Sequence, residues 1–200
     1  MRTLVTVVGL LVSCLLAVTC SVTANPDVWA TGSASLSTDP GYEGKWKYCY
    51  DVHWIALPHG VSHVDVLLWL LEDCECICRP GYFAFADTVG SGPGTPNGEP
   101  CTVYYYGLFE CYGDPSTGVG GPLVKFEPYE DGCEPDKDGW VHVCFYSVAA
   151  PIPAPVGNWV MIKFGTEYAT GNLDGVLPGC DTAYSATEQS TWGRVKVLYR

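Results

Sequence analysis

Trp46-Lys47-Tyr48-Cys49-Tyr50-Asp51-Val52-His53-Trp54 is aromatic-rich and alternates loosely between large apolar and polar side chains. A period of two puts successive side chains on opposite faces of an extended chain, so this stretch predicts a half-buried β-strand. Pro58-His59-Gly60 follows as a turn. Val61 to Leu71 alternates at first and ends fully apolar, which fits a buried strand. Thr102 to Tyr112, Pro122 to Glu127, Trp140 to Ala149 and Asn158 to Gly165 are further strand candidates, rich in Val, Tyr, Phe, Trp and Thr. The 23 glycines and 15 prolines are spread between these runs as punctuation, and helical periodicity is nearly absent. Short strands separated by turns predict an all-β fold, a single antiparallel β-sandwich of the Ig-like or jelly-roll type, linked by disulfides.

Upstream, the chain changes character. Met1-Arg2-Thr3 carries one positive charge, Leu4 to Val18 is almost wholly apolar, and Val22-Thr23-Ala24 satisfies the small-x-small rule for signal peptidase. Residues 1–24 therefore predict a secretory signal peptide; an apolar run of about 15 residues falls short of the roughly 20 needed to span a bilayer. An alternative processing site, Ala17-Val18-Thr19-Cys20, resembles a lipoprotein box but has Thr19 where a smaller residue is wanted, and would lipidate Cys20. Residues 25–44, rich in Ser, Thr, Gly, Ala and Pro, predict an extended lead-in or linker. Residues 45–180 form the predicted sandwich, and 181–200 a basic C-terminal tail with Arg194, Lys196 and Arg200. Gly90-Ser91-Gly92-Pro93-Gly94-Thr95-Pro96-Asn97-Gly98 predicts a flexible exposed loop.

Residues 25–180 hold 20 Asp and Glu against 6 Lys and Arg, a net charge of −14. Such a surface repels nucleic acid and anionic membrane, which excludes both as partners. No transmembrane segment is expected after the leader, and no cofactor motif is present. A secreted chain meets an oxidising environment, so its cysteines predict disulfides first. Nine follow the leader: Cys49, Cys74, Cys76, Cys78, Cys101, Cys111, Cys133, Cys144 and Cys180. Nine is odd, which leaves at least one thiol free, modified or bonded to another molecule. Two strand-like runs that fold back on each other make Cys101 with Cys111 the expected pair.

Several constellations have the residue types of a site. Cys74-Glu75-Cys76-Ile77-Cys78, if extended, puts three sulfurs on one face as weak candidates for zinc or copper(I), but C-x-C is not the usual zinc spacing and separate disulfides are favoured. Ser62-His63-Val64-Asp65 holds the residue types of a triad, yet His63 and Asp65 share a face while Ser62 points away, and no Gly-x-Ser-x-Gly elbow exists. No catalytic residue is assigned. A metal site of His53, His63 and Asp65 is the other arrangement weighed, against structural roles for scattered histidines. Glu134-Pro135-Asp136-Lys137-Asp138-Gly139 resembles a calcium loop but has Phe145 at its twelfth position, so it reads as a solvated turn. Tyr104-Tyr105-Tyr106 and the seven tryptophans offer material for a sugar-stacking surface, although about half of each strand should face the core.

The order Trp46-x-Tyr48-x-Tyr50-x-Val52, Gly60-Val61-Ser62-His63-Val64-Asp65, Gly121-Pro122-Leu123-Val124-Lys125-Phe126, Gly157-Asn158-Trp159-Val160-Met161-Ile162-Lys163-Phe164-Gly165 and Gly171-Asn172-Leu173-Asp174-Gly175 resembles an uncharacterised family of bacterial secreted or cell-surface β-sandwich domains. The likeness covers roughly residues 45–180. Val61 stands where the family has Leu before Ser-His, and the Cys74–Cys78 segment departs from its pattern. The resemblance implies an extracellular structural or adhesive module without catalysis, with Ser62 and His63 as a fold signature and a cell-surface or extracellular polymer as partner. Separately, the ending Ser190-Thr191-Trp192-Gly193 to Leu198-Tyr199-Arg200 resembles carboxy-terminal tails of exported bacterial proteins, which implies an export or sorting tag. Two further readings stand beside this one: carbohydrate binding through exposed aromatics, and a metal or redox protein built on Cys74, Cys76 and Cys78.

Overall fold

A computed structural model describes residues 25–71, 74, 77–95 and 99–182. The leader with Cys20, Cys76, and the tail from residue 183 lie outside the described residues. Twelve strands run in chain order: β1 (Asp27–Leu36), β2 (Trp46–Ile55), β3 (His63–Leu67), β4 (Phe83–Ala84), β5 (Gly90–Gly94), β6 (Cys101–Glu110), β7 (Leu123–Pro128), β8 (Gly139–Ser147), β9 (Ala149–Pro153), β10 (Asn158–Phe164), β11 (Glu167–Asp174) and β12 (Val176–Thr182). One 3-10 turn, Trp69–Leu71, follows β3.

The aromatic stretch Trp46–Trp54 is β2, and its alternation is what closes the fold. Tyr48, Tyr50, Val52 and Trp54 have no exposed surface, and Val141, Val143 and Phe145 of the neighbouring β8 join them. Burying each such side chain is worth roughly 1.5–3 kcal/mol. β2 pairs along its full length with β1 on one side and β8 on the other. The hydrogen-bonded order is β2-β1-β11-β10-β3-β7-β6-β5-β8, and the β8–β2 pairing joins its two ends. The all-β, disulfide-linked expectation holds, but the main sheet is a closed nine-stranded barrel where two facing sheets were expected. Closure pairs every strand and leaves the ring without a free edge. β4 adds to β8 outside the ring, and β9 with β12 forms a separate ribbon. The ring is antiparallel except for β1 with β11.

Two segments read as irregular turn out to complete this ring. Residues 25–44, expected as a linker, contain β1, whose Val28 and Ala30 reach the core while Trp29 and the polar Asp27, Thr31, Ser33 and Ser35 face outward. Small residues on the inner face, Ala30, Gly32 and Ala34, disguised the strand. The glycine-rich loop expected at Gly90 to Gly98 contains β5. A Cβ at Gly90, Gly92 or Gly94 would lie 2.1–2.4 Å from the carbonyl oxygens of His142, Trp140 and Glu134. Only glycine lets β5 approach β8 and the Glu134 turn before it so closely, so glycines on alternate residues mark a crossing of backbones.

The eight described cysteines after the leader all pair: Cys49 with Cys144, Cys74 with Cys180, Cys78 with Cys111, and Cys101 with Cys133. The expected Cys101–Cys111 bridge is excluded because β6 runs straight between them, and ten residues of strand span roughly 30 Å. Cys49–Cys144 crosses the β2–β8 seam at facing positions.

Candidate functional site

β3 is buried on both faces. Val64 and Val66 point into the barrel core, so His63, Asp65 and Leu67 face outward. The neighbours continue this outer face: Asp65 lies opposite Lys125 on β7, with Leu123 and Glu127 on the same side of that strand, and opposite Met161 on β10. The connection from β6 to β7 folds back over this face. Leu67, Leu123 and Met161 form a small second core under it, with Val119 packed against them. Next to that core the loop delivers Asp114.

Asp114 is fixed by its own turn. Its Oδ1 accepts the Ser116 N–H at 2.8 Å, its N–H donates to the Val119 carbonyl at 3.0 Å, and its carbonyl accepts the Gly118 N–H at 3.1 Å. Its other carboxylate oxygen sits 2.8 Å from His63 Nε2 and 3.4 Å from Lys125 Nζ. His63 Nε2 is also 3.4 Å from Asp65 Oδ2, and Lys125 Nζ is 2.8 Å from Glu127 Oε1. His63, Asp65, Asp114 and Lys125 are all at least nine-tenths buried. These are close approaches without hydrogen-bond geometry at the centre: His63 Nε2, both Asp65 oxygens and Asp114 Oδ2 are buried and accept or donate no hydrogen bond.

The environment separates the two aspartates. Burial pushes the Asp65 carboxyl up, against the opposing pull of His63. Burial also opposes ionisation of Asp114, but hydrogen bonds from Ser116 with the charges of His63 and Lys125 hold it below the ordinary aspartate value. Desolvation disfavours the Lys125 ammonium, yet Glu127 and the two aspartates raise it overall. Burial likewise opposes Glu127, which Lys125 and the Tyr106 hydroxyl nonetheless hold low. A cavity of about 440 Å³, lined by His63, Lys125, Glu127, Ser116, Tyr106 and Lys163, opens onto the cluster.

A second group lies on the opposite kind of surface, the outer face of β1, β2 and β8. Trp29, His53 and Trp140 are directly opposite one another across the three strands. The Trp29 and His53 rings are parallel within 5°, their centres 5.3 Å apart. Trp29 and Trp140 are 38% and 46% exposed, large values for tryptophan. The next row along the strands is polar: Thr31, Asp51 and His142, with Asp174 and Asn172 continuing the two rows on β11. His142 Nδ1 lies 2.7 Å from Asp51 Oδ1, and its Nε2 lies 3.3 Å from the Cys144 sulfur.

Set against the sequence expectations, His63 and Asp65 do share a face and Ser62 is exposed, off the cluster's inner face. The proposed His53–His63–Asp65 metal set is corrected: His53 of β2 stacks on Trp29 of β1, and Asp114 takes the third place. The Cys74–Cys76–Cys78 metal candidate is corrected too, because Cys74 and Cys78 are held in disulfides with Cys180 and Cys111. In the Glu134–Gly139 turn the two aspartates have protein partners: Asp136 accepts the Thr95 hydroxyl and Asp138 accepts the Ala56 N–H. Of the tyrosine run, Tyr105 is buried and Tyr104 exposed, as alternation demands. Asp114, Lys125 and Glu127 were missed. Asp114-Pro115-Ser116-Thr117-Gly118 carries a turn signature, but nothing local says which strand the turn covers. No family model, curated protein or solved structure matches the chain.

Proposed function

We propose that this protein is a secreted, non-catalytic surface module that binds an extracellular glycan on the outer face of β1, β2 and β8. The observation that carries this is the cross-strand register Trp29–His53–Trp140. Two exposed tryptophans flank the half-buried His53 in one row, and contribute little to the core that the same strands build with their other faces. A sugar ring offers an apolar C–H face bordered by hydroxyls. The aromatic row supplies contact for the first, and Asn172, Asp51, His142 and Asp174 beside it supply hydrogen-bond partners for the second. The acidic surface disfavours polyanions, so the ligand class is a neutral or basic polysaccharide.

Export is supported by the leader at residues 1–24 and by four disulfides, which persist where the environment is oxidising. No helix among the described residues is long and apolar enough to cross a membrane. The test is glycan-array binding by wild type and the Trp29→Ala/Trp140→Ala double variant. Wild type should bind, and the double variant should lose at least tenfold in affinity. Binding that survives the double substitution sinks the aromatic-row mechanism. Polysaccharide hydrolysis by pure protein, abolished by His63→Ala, overturns the non-catalytic reading.

A further inference from the structure

We propose that His63, Asp65 and Asp114 form a binding site for one divalent cation of the zinc or manganese class. It lies between the barrel wall and the β6–β7 loop, away from the aromatic row, and does not depend on the glycan reading. One ligand atom from each residue lies within 4.8 Å of the others. Ligands at 2.0–2.2 Å around a tetrahedral zinc stand about 3.3–3.6 Å apart. The His63–Asp65 separation of 3.4 Å already fits, and the 2.8 Å between His63 and Asp114 needs only a small opening.

Three observations point to a cation as the ligand of this cluster. First, the buried atoms without partners in this cluster are one imidazole nitrogen and three carboxylate oxygens, which is a ligand set of nitrogen and oxygen donors; Trp46 Nε1 and Tyr105 OH, the other two such atoms among the described residues, lie on other strands. Buried polar atoms left unmatched are costly, and a protein core ordinarily avoids them. Second, charge closes around a dication. Asp65, Asp114 and Glu127 against Lys125 leave the group two negative charges in excess. Lys125 does not cancel this at the centre, because its ammonium sits closer to Glu127 (2.8 Å) than to Asp114 (3.4 Å). Third, a cavity lined by His63, Lys125 and Glu127 lies beside the cluster, so solvent and ions approach to within one side chain of the donor atoms. Two protons, one on His63 and one on Asp65, are the competing way to balance the same charge.

Calorimetric titration of chelator-treated protein with zinc or manganese separates the two. One ion per chain, bound with micromolar or tighter affinity, is expected, with at least a tenfold loss in Asp114→Asn and in His63→Gln. Absence of binding to wild type, or equal binding by Asp114→Asn, overturns the site and assigns the balance to protons or the uptake to surface carboxylates. Should either variant fail to fold, wild type alone suffices. The chain has four histidines, whose ring NMR signals are assigned by single substitution of the other three. Zinc should shift the His63 ring; a shift confined to His142 places the ion beside Cys144 and refutes the proposal.

Discussion

Two histidine–aspartate pairs of almost equal length sit in opposite environments. His142 and Asp51, 2.7 Å apart on the outer face of β2 and β8, have about half their side-chain surface in water. His63 and Asp114, 2.8 Å apart under the β6–β7 loop, retain 5% and 2%. Distance alone would rank them as equals. Solvent does not: the first pair is screened and hydrated, while the second has given up its water and has to recover that cost from its neighbours. The first pair can be lost with little consequence, whereas the second is tied to the backbone through the Asp114 turn and to Lys125, Asp65 and Glu127.

The sharpest break of this comparison is Asp114→Ala. It leaves His63 and Lys125 buried without their shared carboxylate and removes the acceptor of the Ser116 N–H. Removing one partner of a buried charged pair costs on the order of 3–5 kcal/mol. The urea midpoint should fall accordingly, and protease sensitivity should appear first in the β6–β7 loop. A loss below about 1 kcal/mol would mean that water already reaches the cluster and that the two pairs differ less than their burial implies.

Asp65→Asn has the opposite sign in metal-free protein. Burial raises the Asp65 carboxyl above its ordinary value, so the folded state favours its protonated form. An acid raised on folding contributes its full stability below its unfolded value of about 3.9 and loses it as pH rises through the folded value. Wild type should therefore lose stability relative to Asp65→Asn as pH climbs from about 4 toward neutrality, read as the difference between the two melting curves at each pH. If the difference instead stays flat with pH, Asp65 is not the group that carries the cost.

The sequence disclosed each of these regions to a different depth. Strand identity was legible wherever one face is aromatic and the other polar, as in β2 and β8, because alternation is a local property. Barrel closure was not, since it depends on β1, with a weakly apolar inner face, and on β5, whose glycines read as a loop until their backbone contacts with β8 are known. The shared face of His63 and Asp65 followed from spacing. Asp114 lies 51 positions from His63 in sequence, and their contact is set by how a turn lies on a sheet. The disulfide map failed for the same reason: Cys101 and Cys111 are near in sequence yet stand at opposite ends of one straight strand.

The smallest effect belongs to the exposed pair. His142→Ala and Asp51→Ala each remove one partner of the 2.7 Å contact, but the remaining group stays hydrated. Exposed ion pairs are worth roughly 0.2–1 kcal/mol, and each variant should fall at the low end of that range. Raising the ionic strength should shrink the effect further, because screening weakens exposed charges first. The seam itself does not rest on this pair, since β2 and β8 are joined by a continuous register from Trp46↔Ser147 to Trp54↔Gly139 and by Cys49–Cys144. A double-mutant cycle on the folded protein checks this directly. A coupling above about 1 kcal/mol at physiological salt would show that the outer face holds its pair far more tightly than its exposure allows, and the contrast with His63 and Asp114 would then rest on the backbone ties of Asp114 more than on water.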